Sequence, residues 1–165
     1  MESKQNLPWL EVAFKSIGVA EVQGIKSNPE IVAWLKDLNA WWSDDKTAWC
    51  GVFVAHCLKE ANQHYPKMWM QALAYRDGGT HLDQPAFGCV AVKERKGGGH
   101  VCFVVGVDED SGKLVCLGGN QNDKVCLALY DKSVFAEFRW YGDGFVPSAE
   151  LPKYKGIKLQ EVAEA

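Results

Sequence analysis

Apolar residues recur at helical spacing early in the chain and at strand spacing after Phe87. Between Pro8 and Ile17, the residues Trp9, Val12, Ala13 and Ile17 share one face, with Pro8 at a first helical position and Gly18 as a stop. Asn28-Pro29-Glu30 signals a second helix start. Ile31, Trp34, Leu35 and Leu38 then form its apolar stripe. A third stripe runs through Cys50, Phe53, Val54, Cys57, Leu58 and Ala61, and the helix it predicts ends near Asn62. The polar run Ser43 to Thr47 before it is rich in capping residue types. Lys67 to Tyr75 predicts a further short helix with Trp69 and Leu73 inward, and Gly78 to Pro85 a loop.

From Phe87 the period becomes two. Strands are expected over Gly88–Lys93, His100–Val107, Leu114–Leu117, Lys124–Tyr130 and Val134–Tyr141. The segments between them, Glu94–Gly99, Asp108–Lys113 and Gly118–Asn122, carry turn residues. Strands joined by short turns, with helices gathered in the first half, predict an α+β fold with an antiparallel sheet of about five strands. Residues 1–150 form one domain on this reading, and 151–165 a charged C-terminal tail that frays.

Composition narrows the function. The chain has 165 residues, 47% of them hydrophobic and 24% charged, as expected of one globular domain. A net charge of −3 gives no electrostatic case for nucleic acid or a membrane surface as partner. The longest apolar runs, such as Val101 to Val107, are too short to span a bilayer. The first residues carry no apolar h-region, so synthesis in the cytoplasm without a secretory signal is expected.

The six cysteines, at 50, 57, 89, 102, 116 and 126, form no Cys-x-x-Cys pair and no zinc spacing with histidine. Cys50 and Cys57 stand about 10 Å apart by helix rise, too far for a disulfide. Mostly free thiols are expected. His56, His64 and His81 lack a ligand set, so no metal is expected, and no cofactor. The glycine-rich turn before His100 is not a phosphate loop, because a strand and not a helix follows it.

Cys50 falls in the first turn of its helix, among unpaired N–H groups and at the positive end of the dipole. Both favour thiolate and hence nucleophilicity; a buried packing role is the competing reading. Strand alternation puts His100, Cys102, Val104 and Gly106 on one face, and Leu114, Cys116, Gly118 and Asn120 on one face of the next strand. His100 and Asn120 then lie at the same open end. If the Cys50 helix packs on that face, a thiol, an imidazole and an amide converge, as a cysteine hydrolase needs. Trp42 and Trp49, beside the helix start, are candidates for a substrate groove, with core packing as the alternative.

Ala48-Trp49-Cys50-Gly51-Val52-Phe53-Val54, Gly98-Gly99-His100-Val101-Cys102-Phe103 and Gly118-Gly119-Asn120 together resemble the CHAP and NlpC/P60 superfamily, most of all its single-domain phage and bacterial members. The likeness runs from about Trp34 to Tyr141. It implies a papain-like fold, Cys50 as nucleophile, His100 as base and Asn120 as the residue orienting the imidazole, with no metal in the chemistry. Relatives often carry Gly-Asp where this chain has Gly88-Cys89. Many have an acidic residue where this chain has Gly118, which leaves Asn120, or Gln121 in a shifted register, as the partner of His100.

The implied activity is cleavage of amide bonds in the peptide stem of peptidoglycan, as an N-acetylmuramoyl-L-alanine amidase or a peptide endopeptidase. Two settings fit an action in the periplasm or cell wall: a phage endolysin, or an antibacterial effector delivered by a secretion system and held in check by a cognate immunity protein. The alternatives are a cysteine deamidase, acyltransferase or isopeptidase with a non-wall substrate, and a silent binding module in which Cys50 only packs.

Overall fold

The protein is described by a computed structural model over residues 7–144 and 150–155. Three α-helices open the chain: α1 (Pro8–Lys15), α2 (Pro29–Asp37) and α3 (Cys50–Glu60). The Asn28 side chain caps α2, accepting from the N–H of Glu30 at 2.7 Å and of Ile31 at 3.4 Å, which satisfies donors the helix cannot. Trp34 packs on Trp49 and Phe53, so α2 lies against the start of α3.

The polar run before α3 does not cap it. The N-cap is Trp49, whose side chain makes no capping bond. Asp45 instead points back, fully buried, and accepts from the N–H groups of Val22 and Asn28 at 2.7 and 2.8 Å. Asp44 accepts from the N–H groups of Lys46 and Thr47 at 2.8 and 3.3 Å. Asp45 is thus spent on tying the loop to the α1–α2 connection and Asp44 on the loop's own turn, and the N-cap residue of α3 supplies no side-chain cap.

The expected helix over Lys67–Tyr75 is reduced to a 3₁₀ turn at Ala72–Arg76. The Trp69 carbonyl accepts from the Tyr75 hydroxyl at 3.1 Å rather than from a helical N–H, and the same hydroxyl donates to the Gly51 carbonyl at 2.7 Å. A Cβ at Gly51 would lie 2.4 Å from the Trp69 oxygen, so glycine at this position lets the segment close over α3.

The sheet has seven strands among the described residues, not five: β1 (Thr80–Leu82), β2 (Val90–Arg95), β3 (Gly98–Asp108), β4 (Leu114–Gln121), β5 (Lys124–Tyr130), β6 (Phe135–Trp140) and β7 (Lys153–Tyr154). Their order is β1-β6-β2-β3-β4-β5, all antiparallel, with β7 pairing β3 in parallel. The two additional strands are short edge pieces. β1 arises inside the expected loop by pairing with β6, and β7 inside the expected tail by pairing with Val107 and Asp108. Pairing across such distances in sequence leaves no local pattern to read. The Tyr154 ring lies over Gly106, so the start of the tail expected to fray is instead paired into the sheet; the rest of that tail, 156–165, lies outside the described residues.

α3 packs on β3 and β4, but on the face opposite to the expected one. Phe53 meets the Phe103 ring at 6.2 Å, and a Cβ at Gly119 would lie 2.7 Å from the Phe53 Cβ and 2.9 Å from the Trp49 ring. The helix therefore sits on the face of Phe103 and Gly119, which carries the larger apolar residues, and not on that of Cys102 and Gly118. Among the described residues no helix is long and apolar enough to cross a membrane.

Candidate active site

Two irregularities let a helix on one face of the sheet meet a histidine on the other. The first is the end of the β3–β4 ladder. Val104 exchanges bonds with the β2 side, donating to the Cys89 carbonyl at 2.9 Å and accepting from Gly88 at 2.8 Å. By alternation the Val101 N–H points the other way, toward β4. Pairing of β3 with β4 ends at Phe103↔Leu117, so β4 does not take up this donor. The backbone N–H groups of Val101 and Gly51 are among the groups that hold the Cys50 thiol down, which places the sulfur beside this strand edge. The sulfur meets β3 at an open strand edge.

The second irregularity is a bulge in β4. Between the pairs Gly118↔Cys126 and Gln121↔Lys124, Gly119 and Asn120 stand against Val125 alone. Asn120 absorbs the extra residue with φ 60°, a left-handed conformation that asparagine tolerates better than most residues. The bulge reverses the alternation for everything after it. Gln121 comes to the face of Gly118 and Cys102, where a Cβ at Gly118 would lie 2.5 Å from the Gln121 Oε1.

His100 is consequently bonded by Gln121 and not by Asn120. Its Nε2 lies 3.0 Å from the Gln121 Oε1. The buried Asn120 Oδ1 has no hydrogen-bond partner. The amide orientation of Gln121 is fixed independently, because its Nε2 donates to the Cys126 carbonyl at 2.8 Å and a carbonyl can only accept. Oε1 therefore faces His100, the His100 Nε2 carries the proton, and Nδ1 is the ring nitrogen left for Cys50. Tyr130 completes the surroundings. Its hydroxyl donates to the same Gln121 Oε1 at 3.2 Å, and its ring lies 5.9 Å from the imidazole.

Electrostatics of the pair follow. Burial pushes the Cys50 thiol up, but hydrogen bonding and charge from His100, with the N–H groups of Val101 and Gly51, bring it below its ordinary value of 9.0. Burial pushes His100 down, but hydrogen bonding to Cys102 and Cys50 and the charge of Cys50 take it well above 6.5. Both shifts run toward thiolate and imidazolium. Cys50 is 5% exposed and His100 1%, so the pair interacts in a nearly dry environment where charges act strongly.

The other thiols behave differently. Burial, with the charge of Glu60 added, drives Cys57 well above 9.0, and burial as the largest effect takes Cys89 up to about 12. All six cysteines are free. Among the described residues no group of three His, Cys, Asp or Glu side chains is placed to hold a metal.

Of the groove candidates, Trp49 is 1% exposed and fills the space over Gly119, so it offers no surface to a ligand. Trp42 is half-buried, stacked on Trp69 at 5.8 Å with the exposed Trp41 against its edge at 4.9 Å. The contributions of Tyr130, the Cys126 carbonyl and the Val101 N–H carried no signal in the sequence, because each depends on strand register. In comparison with known proteins, no family model, no curated protein and no solved structure matches the chain.

Proposed function

We propose that the chain is a cysteine-dependent hydrolase with a papain-like arrangement, cleaving amide bonds in the peptide stem of peptidoglycan. The observation that carries the reading is the imidazole held between the Cys50 thiol and the Gln121 carbonyl oxygen, the latter at 3.0 Å. The Cys50 thiolate attacks the scissile carbonyl carbon, forming a C–S bond and a tetrahedral oxyanion. The Cys50 N–H, at the uncapped start of α3, is the donor on this chain for that oxyanion. Collapse breaks the C–N bond while His100 gives its proton to the leaving amine. A water that His100 deprotonates then attacks the thioester, releasing the acid and restoring the thiolate–imidazolium pair. Gln121 keeps the Nε2 proton in place throughout, so Nδ1 remains the nitrogen that moves protons.

The peptidoglycan substrate rests on the motif residues around Cys50, His100 and Asn120, with an endolysin or a delivered effector as the setting and an immunity protein as the partner of the latter. Digestion of purified sacculi tests it. Mass analysis is expected to find new amine or peptide ends with the wild-type protein and none with Cys50→Ala. Intact muropeptides with both proteins would remove the wall substrate and leave a non-wall amide as the target.

A further inference from the structure

The proposed reaction uses Cys50, His100 and Gln121 and gives no role to the buried Tyr130 hydroxyl beside them. Tyr130 lies at the end of β5, opposite Leu114, and is 7% exposed. Its hydroxyl shares the Gln121 Oε1 with the His100 N–H. That oxygen therefore receives two donors, while the amide nitrogen is committed to Cys126. Two donors on one acceptor compete: each withdraws electron density that the other would use. The imidazolium consequently has a weaker acceptor at Nε2 than an unshared amide would give it.

This matters because His100 is already held well above its ordinary range. A histidine that must give a proton to a leaving amine works best when its pKa lies near the operating pH. An unshared carbonyl oxygen would stabilise imidazolium further and make it a poorer acid. We propose that Tyr130 is a positioning residue that tunes His100 through Gln121, fixing the amide oxygen on the imidazole while moderating its pull on the ring proton. The inference rests on the Cys50–His100 reading above. The titratable and charged groups around the ring are Cys50 from α3, Cys102 on β3 itself and, across the face, Lys93 of β2, whose Nζ lies 5.7 Å from the Tyr130 ring centroid.

The test compares wild type with two changes of opposite sign. Tyr130→Phe removes the donor, and site-specific 3-fluorotyrosine at position 130 makes it stronger. The readouts are the ¹⁵N shifts of the His100 imidazole across pH and the upper limb of the pH profile for alkylation of Cys50 by iodoacetamide. Tyr130→Phe is expected to raise the His100 pKa by about 0.3 pH unit and fluorotyrosine to lower it by a similar amount, the size of a 10–30% change in one charge-assisted bond. A purely structural role would shift both variants the same way or neither. Equal or absent shifts in folded variants overturn the tuning role while the wild-type profile keeps the Cys50–His100 pair. An ordinary thiol profile in the wild type, with the proton on Nδ1, overturns the pair itself. Should Tyr130→Phe fail to fold, the fluorotyrosine protein carries the sign alone.

Discussion

Cys50 and Cys57 stand two turns apart on the same helix, and both are buried. One is held below the usual thiol value and the other well above it. Burial acts on both in the same direction, so burial does not make the difference. Cys57 has only apolar surroundings and the charge of Glu60, which repels a thiolate. Cys50 has an imidazole, the N–H of Gly51 and the strand-edge N–H of Val101. A thiol in a core is inert by default. Its pKa falls where the surroundings offer it donors, here at a helix start that no side chain caps and beside the end of the β3–β4 ladder.

Removing His100 should erase that difference. His100→Ala is expected to lower amide hydrolysis by about 10²–10⁴-fold, the usual worth of a general acid–base. It should also bring the alkylation rate of Cys50 near neutral pH down to that of Cys57, while the circular dichroism spectrum persists. A Cys50 that stays fast without His100 would assign its reactivity to the helix end alone.

The next effect separates two neighbouring amides. Gln121→Leu is expected to cost roughly 10- to 100-fold in turnover, the size seen when the hydrogen-bond partner of a metal-ligating histidine is removed. Asn120→Gly should leave turnover within about twofold. It keeps the φ of 60° that the bulge requires and removes a buried oxygen that has no partner. Its melting temperature should match or exceed that of wild type. Reversed results, with Asn120→Gly the more damaging, would return the orienting role to Asn120.

The smallest effect comes from an exposed counterpart of His100. His81 lies 2.9 Å from Glu137 and 3.1 Å from Asp83, and bonding to these carboxylates raises its pKa from 6.5. A raised folded value means stability fully present below 6.5 and lost as pH rises from there through the higher folded value. The melting-temperature gap between wild type and His81→Gln should therefore be small at pH 5.5, vanish at pH 8.5 and shrink with salt, as for surface ion pairs. A gap that grows with pH would mean that His81 ties β1 to β6 by something other than charge.

How far the chain could be read differs between its parts for physical reasons. The Asn28 cap, the Cys50 helix start and the cores of β2 to β6 follow from local pattern, and the helices and mostly antiparallel sheet are observed. The position of Cys50 at the first turn of α3 was legible because a polar-to-apolar change marks it. The partner of His100 was not. Alternation alone sends Asn120 to the histidine face, and one extra residue at Gly119–Asn120 hands that place to Gln121. The face on which α3 packs differs from the expected one for a related reason. The small residues Cys102 and Gly118 invite a helix, but the larger Phe103 and Leu117 point the other way and Gly119 makes the room.

The measurement closest to the central claim is competitive alkylation of the native protein with limiting iodoacetamide from pH 5 to 9, followed by peptide mass spectrometry of all six cysteines. The account predicts that Cys50 is alkylated first at pH 6 and keeps its rate across a plateau, while Cys57, Cys89 and Cys102 remain unlabelled until the protein unfolds. Labelling of Cys50 no faster than Cys57, or a rate that climbs only above pH 8 as for a free thiol, would contradict it.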